Sequence, residues 1–230
     1  MLTLVLTRHG LTARSEPEQH LGQKIDIPLS PAGRDQALAL GRRLAPVTFE
    51  RLVTSPLARA QETAEIVTRE IAAGGRPVPE IELDPRLLEM DYGQWEGLTY
   101  AELDERFGDE RRAWATDPAS HYYPGGESGH QVATRARAFL EALLIDHVQR
   151  HGSRTSDEWR VLAVGHSSLN RVLMCVALDI PIREFRVRFV QSQVNLTVLR
   201  FEHGDGPSDA RLVLLNDVAH VRGPDQRPWE

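Results

Sequence analysis

Apolar positions along this chain come in two rhythms, short continuous runs and longer stretches with helical spacing. Leu2 to Thr7 is apolar and β-rich and stops at Arg8-His9-Gly10, which predicts a buried strand ending in a loop. The polar loop runs to Leu29. Ser30-Pro31 then offers an N-cap and a first helical position, and Ala37, Leu40, Gly41 and Leu44 form the inward face of the helix that follows. Arg51 to Thr54 predicts a second strand. Ser55-Pro56 opens a second helix in the same way, with Leu57, Ala60, Ala64, Val67 and Ile71 as its buried stripe. Residues 74–80 form a Gly/Pro loop, and Ile81 to Leu83 a short strand.

From Asp84 to Gly126 the pattern is irregular, with helical pieces near 99–107 and 109–116. It reads as an insertion above the sheet. After Gly129 a strong helix carries Val132, Ala136, Phe139, Leu140, Leu143, Leu144 and His147 on one face. Val161 to Val164 is another buried strand, ending at Gly165-His166. Ser167 or Ser168 starts an apolar helix through Val176, and Leu196–Phe201 with Arg211–Leu215 predict a closing hairpin. Strands alternating with helices indicate an α/β fold, a three-layer sandwich with a mostly parallel central sheet flanked by helices. The hairpin adds an antiparallel strand. The expected organisation is a single domain over 1–230, with a substrate-specificity segment inserted at about 84–126.

Composition changes this picture little. At 230 residues, 41% hydrophobic and 26% charged, the chain can bury a large core without staples. A net charge of −6 argues against a dedicated nucleic-acid or anionic-membrane surface. One cysteine, Cys175, allows no intramolecular disulfide. The N-terminus lacks a basic leader and no run approaches a membrane span, so the expected location is cytoplasmic. Neither a nucleic acid nor a membrane is the expected partner, and a homodimer is the candidate assembly.

The strands ending at His9 and His166 share a form, an apolar run that meets a histidine and turns into polar sequence. In open α/β sheets ligands bind at the carboxyl ends of the strands. If both strands are parallel, His9, His166, Arg8 and Arg59, which lies in the first turns of the second helix, converge on one crevice. The N-terminus of the helix after His166 would add a backbone anion site. That set suits a phosphoryl group. Guanidinium forks bind its oxygens. Imidazole attacks phosphorus through an unprotonated nitrogen while a hydrogen bond to the other nitrogen sets the tautomer. Arg8 and Arg59, joined by His166 where that is protonated, would stabilise charge on the equatorial oxygens. A proton donor for the leaving group is also needed. Glu89 is the first candidate, Asp91 the second and Glu127 the third.

Thr7-Arg8-His9-Gly10-Leu11-Thr12 resembles the R-H-G-x-[ST] signature of the histidine phosphatase superfamily, which includes cofactor-dependent phosphoglycerate mutase. Leu29–Gly33, Thr54–Ala64, Glu89–Gly97 (EMDYGQWEG), Pro124–Ser128 (PGGES) and Val164–Ser167 resemble further family blocks, in the family's order. One such block is weak evidence; this many in order is strong. The resemblance implies a phosphoglycerate mutase-like fold, His9 as the phosphorylated nucleophile, Arg8, Arg59 and His166 around the phosphate, Glu89 as proton donor, and neither a metal nor an organic cofactor. The expected partner is a small phosphorylated metabolite, and the residues expected to touch it are Arg8, Ser15, Gly22, Gln23, Arg59, Glu89, Tyr92, His166 and Ser167. Ser15 departs from the Asn often found there, and its hydroxyl reaches less far. The W-E-G and P-G-G-E-S blocks resemble the phosphatase branch. Arg111-Arg112 is an adjacent pair such as mutases carry, in surroundings unlike the mutase block. A mutase, or a non-catalytic phosphate-binding module of the same fold, are the alternatives to a phosphoric monoester hydrolase.

The other histidines, His20, His121, His130, His147, His151, His203 and His220, read as solvated or structural groups. Arg42-Arg43 and Arg111-Arg112 read as solvated faces, Trp95 as packing for the inserted segment, and Cys175 as a small buried hydrophobe. No H-E-x-x-H or paired-Cys spacing points to a metal.

Overall fold

A computed structural model describes residues 1–16, 18–151, 158–202 and 206–222; His203 and the side chain of His151 lie outside the described residues. Six strands form one mixed sheet in the order β3-β2-β4-β1-β5-β6. They are β1 (Leu2–Arg8), β2 (Arg51–Thr54), β3 (Ile81–Leu83), β4 (Trp159–Gly165), β5 (Leu196–Phe201) and β6 (Arg211–Asp217). β1, β2, β3 and β4 pair in parallel, and the closing hairpin adds β5 antiparallel to β1 and β6 antiparallel to β5. The parallel strands are continuous apolar runs because both faces of the sheet are covered.

The alternation of side chains sorts those runs onto two cores. Leu2, Leu4, Leu6, Val161 and Ala163 pack with Phe139, Leu140 and Leu143 of α4 (Gly129–His151) and Leu169, Val172 and Leu173 of α5 (Ser167–Ala177). Val5, Leu52, Leu162 and Val164 face the other way, onto Leu40 and Leu44 of α1 (Pro31–Leu44) and Ala60, Ala64 and Val67 of α2 (Ala58–Ala73). Each fully buried leucine among them contributes roughly 2 kcal/mol by leaving water. The result is an α/β/α sandwich, as the strand and helix rhythm predicts. Among the described residues, no helix is long and apolar enough to cross a membrane.

Helix starts separate local from distant causes. Ser30 caps α1 as expected, its side chain accepting from Gly33 N. Ser55 does not cap α2. Its Oγ accepts from Leu57 N at 3.3 Å and turns the chain, and the helix begins at Ala58, whose N–H donates to both carboxylate oxygens of Asp26, at 2.8 and 3.1 Å. The cap comes from another part of the chain.

The segment 84–126 holds two short 3₁₀ turns, Pro85–Leu87 and Gly93–Trp95, and α3 (Tyr100–Thr116). α3 carries a capping box at Thr99 and Glu102 and a break in helical geometry at Phe107 (φ −135°, ψ 30°), where the sequence pattern divides it. Trp95 packs edge-on to Tyr123 at 5.0 Å and to Trp114 at 6.0 Å between ring centroids, which ties the segment's own pieces together, and all three rings belong to the core shared with α4 and α5. Ile182–Glu184 and α6 (Phe185–Arg188) have no counterpart in the sequence reading, because four residues are too few for a periodicity.

Candidate active site

The carboxyl ends of β1, β4 and β2 lie side by side, with Thr7 opposite Val164, Arg8 opposite Gly165, and Thr54 opposite Val164. His9 N donates to Gly165 O at 3.1 Å. Gly10 N donates to Thr63 Oγ1 at 3.2 Å, and that hydroxyl donates to Arg59 O at 2.7 Å. The two histidines and the first turns of α2 are thus tied to one edge. A side chain at Gly10 would meet the backbone of α1, since an added Cβ falls 2.5 Å from Gly33 O.

The rings of His9 and His166 lie 5.2 Å apart between centroids, tilted by 58°. Both are buried, His166 completely. Nδ1 of His9 is 2.7 Å from Gly10 O. A carbonyl only accepts, so Nδ1 carries the proton and Nε2 keeps its lone pair. Burial, then the charges of Arg59 and Arg8, hold the His9 pKa well below the ordinary imidazole value, against the opposing bond to Gly10. Burial, Arg59 and His9 do the same to His166. Two neutral imidazoles therefore face each other. Burial and the Arg59 charge both disfavour the His166 cation.

Arg8 lines the cavity in front of His9 and anchors through Nη1 to Gln191 O at 2.9 Å. Arg59 is fully buried behind it. Its Nη2 donates to Gly22 O at 2.7 Å and Leu21 O at 3.2 Å, its Nη1 to Ile25 O at 3.4 Å, and Asp26 stands 3.7 Å from Nη1. Nε of Arg8, Nε of Arg59 and both ring nitrogens of His166 are buried without a protein hydrogen-bond partner. Buried polar atoms are nearly always paired, and four unpaired ones around a single histidine point to a hydrogen-bonding ligand there.

Of the three acid candidates, Glu89 alone lines the cavity. Its Oε1 accepts from Met90 N (2.8 Å) and Leu169 N (3.0 Å), and its Oε2 from Ser168 N (3.1 Å). The start of α5 is thus a backbone anion site, as expected, but the amides of Ser168 and Leu169 serve the protein's own carboxylate. Asp91 accepts from Gly93 N at 2.8 Å and sits 3.5 Å from Lys24 Nζ. Glu127 pairs with Arg135 at 3.2 Å and accepts from Asp91 N at 2.9 Å. Both brace the loop that carries Glu89.

The cavity measures about 240 Å³. Ser15, Tyr92 and Ser167 line it. Ser15 Oγ is bound by Thr12 N at 3.0 Å, and Tyr92 Oη meets Ser168 Oγ at 2.8 Å. Gly22 and Gln23 stand behind the wall, where Gly22 O receives Arg59 and Gln23 Nε2 donates to Glu89 O at 2.7 Å. His20, read from the sequence as solvated or structural, also lines the cavity. It is buried edge-on between Tyr92 and Tyr100, and burial lowers its pKa to about 4. Arg14, Glu18, Tyr100, Arg171 and Arg186 also line the cavity. Sequence reasoning misses Arg171 because α5 reads as an apolar helix, and Arg186 because it sits in an element too short to detect.

The other described histidines, His121, His130, His147 and His220, are not part of the cavity lining. His147 stacks on Trp159 at 5.5 Å, and His220 Nε2 meets Val194 O at 2.9 Å. Arg111 pairs with Asp104 and lies 5.2 Å over the Tyr100 ring, while Arg112 pairs with Asp109. Cys175 is buried, which pushes its thiol up to about 12.

Comparison with known proteins identifies the family. The family model of the histidine phosphatase superfamily (branch 1) matches residues 4–217. A glucosyl-3-phosphoglycerate phosphatase of Mycolicibacterium vanbaalenii is 34% identical over 186 residues, 80% of this chain and 77% of that one. Phosphoserine phosphatase 1 of Hydrogenobacter thermophilus is 29% identical over 185 residues, 80% of each chain. The structure of mycobacterial glucosyl-3-phosphoglycerate phosphatase complexed with VO3 superposes with a TM-score of 0.77 at 28% identity, over 93% of this chain and 98% of that one. With the family model spanning nearly the whole chain, this protein is a phosphatase that belongs to the histidine phosphatase superfamily, branch 1.

Proposed function

We propose that the protein hydrolyses a small-molecule phosphate monoester in two displacements, through phosphohistidine at His9. The observation that carries this reading is the hydrogen bond from His9 Nδ1 to Gly10 O, 2.7 Å long, on a ring kept neutral by burial. Together they leave Nε2 as a free nucleophile.

In the first step His9 Nε2 attacks phosphorus, the N–P bond forms and the P–O bond to the alcohol breaks. Glu89 gives the departing oxygen its proton. In the second step a water oxygen attacks phosphorus, the N–P bond breaks and Glu89 takes the water's proton, which returns every group to its starting state. Arg8, Arg59 and His166 receive the equatorial oxygens through the nitrogens that lack protein partners, where charge develops in the transition state. No step uses a metal. The segment 84–126, which supplies Glu89, Tyr92 and Tyr100 to the cavity, selects the substrate, as variable segments over a fixed sheet edge do. The named relatives bring glucosyl-3-phosphoglycerate and phosphoserine into the set worth screening.

The test is an acid-free quench of the enzyme reacting with labelled substrate, followed by peptide mapping. The label should be acid-labile, base-stable and on the peptide containing His9. Turnover should collapse in His9→Ala. A label on His166, or near-normal turnover by folded His9→Ala, would overturn the assignment.

A further inference from the structure

The phosphoryl site accounts for Arg8 and Arg59, but the cavity holds more cation than that. Its lining includes Arg14, Arg171 and Arg186 besides Arg8, and only two carboxylates, Glu18 and Glu89. Glu89 is already engaged by three backbone amides, and Glu18 is exposed at the rim. Among the described residues, none of these three arginines forms an ion pair, whereas Arg59 has Asp26 and Arg135 has Glu127.

Arg171 projects from α5 and Arg186 from α6. Nε of Arg171 is buried with no hydrogen-bond partner. Burial, then the neighbouring charges of Arg186 and Arg8, depress its pKa, so it lies within reach of two like charges. Arg186 is positioned without being neutralised. Its Nη2 donates to Tyr100 Oη at 3.1 Å, and its guanidinium lies 5.1 Å over the Trp114 ring. Holding like charges together in a partly desolvated wall is costly unless an opposite charge joins them.

We propose that Arg171 and Arg186, with Arg14 at the rim, form a second anionic subsite that takes a carboxylate or a second phosphate carried on the leaving group of the substrate. The inference rests on the phosphatase reading above and names the substrate class within it. Guanidinium forks match either anion bidentately. A cavity of about 240 Å³ is smaller than the roughly 300–1,000 Å³ of pockets for drug-sized ligands. A short acidic chain fits inside it, and a larger substrate must extend outward past Arg14.

Three substrates on one two-carbon skeleton test this: phosphoglycolate, ethanediol bisphosphate and the neutral 2-hydroxyethyl phosphate. The wild-type kcat/KM should favour at least one anionic member over the neutral one by about tenfold or more, in line with one charge-assisted hydrogen bond. The anionic member that gains tells carboxylate from phosphate. In Arg171→Gln and Arg186→Gln that ratio should fall about tenfold, chiefly through KM. Calorimetric binding of the same three compounds to His9→Ala should show the same order. Equal kcat/KM for anionic and neutral members, or variants that lose equally on both, would overturn the subsite, the second outcome assigning these arginines to the reacting phosphate. Absence of turnover on all three counts against the two-step reading instead, and the calorimetric order then decides the subsite by itself.

Discussion

Nδ1 of His9 lies 2.7 Å from the carbonyl oxygen of Gly10, so the ring's proton is held by the backbone next to the ring itself. The tautomer follows from local chain geometry and needs no carboxylate partner. Since burial and then Arg59 and Arg8 disfavour the imidazolium, the nucleophile should be ready across the neutral range. Nitrogen-detected NMR of the free enzyme should show His9 as the neutral Nδ1–H tautomer at pH 7, with a titration midpoint below the unperturbed value of about 6.5. His166, lowered by burial, Arg59 and His9, should behave likewise. A midpoint at or above that value, or an Nε2–H tautomer at His9, would contradict the proposed attack.

Glu89 should matter in proportion to how much its leaving group needs a proton. Each carboxylate oxygen has two lone pairs. Oε1 already accepts from Met90 N and Leu169 N, while Oε2 accepts from Ser168 N alone. The transferable proton therefore belongs on Oε2. Removing a positioned general acid costs about 10²–10⁴-fold. Glu89→Gln should lose that much on alkyl phosphates and far less on aryl phosphates, measured for the first step in single turnovers. Equal losses on both would make Glu89 a binding group.

Much of this arrangement is legible in the sequence, for identifiable reasons. The parallel strands are buried on both faces and so appear as unbroken apolar runs, which place His9 and His166 at one edge. Local caps such as Ser30 are legible because cap and helix adjoin. The cap of α2 is not, since Asp26 and Ala58 are 32 positions apart and only the folded loop brings them together. Arg171 escapes notice because nothing along the chain says that a charged position on an apolar helix turns toward a cavity, and Arg186 because its helix is only four residues long. The anion at the start of α5 was foreseeable from helix geometry, but its identity as Glu89 was not, for that contact spans 79 positions.

His20 gives the fold an acid-sensitive point. Burial lowers its pKa from 6.5 to about 4, so the native ring is neutral while the unfolded ring gains a proton below pH 6.5. The unfolded state then binds more protons, and stability rises with pH in that window. The contribution is complete above pH 6.5 and lost as pH falls towards 4. At 1.36 kcal/mol per pH unit it amounts to roughly 3 kcal/mol. Urea unfolding at pH 7 and pH 4.5 should show a smaller acid loss in His20→Phe than in wild type, by on the order of 2–3 kcal/mol. The same loss in both proteins would remove His20 as the source.

Asp26 joins the stability of α2 to the placement of Arg59. Its two oxygens accept from Ala58 N at 2.8 and 3.1 Å, and Oδ1 stands 3.7 Å from Arg59 Nη1. These roles separate by substitution. Asparagine caps about as well as aspartate but carries no charge, whereas alanine does neither, at a typical cost of about 1 kcal/mol. Asp26 is exposed, with 38% of its side chain accessible, and its ion pair with Arg59 is long, so the pair itself contributes little. Asp26→Asn should therefore keep nearly the wild-type denaturation midpoint and most of the activity. Asp26→Ala should lose about 1 kcal/mol. It should also lose activity several-fold, because fraying of the first turn of α2 shifts Arg59 away from the carbonyls of Leu21, Gly22 and Ile25 that hold its fork. Paired urea melts and steady-state kinetics on the two variants separate the contributions. If Asp26→Asn loses as much activity as Asp26→Ala while staying as stable as wild type, the negative charge rather than the cap positions Arg59.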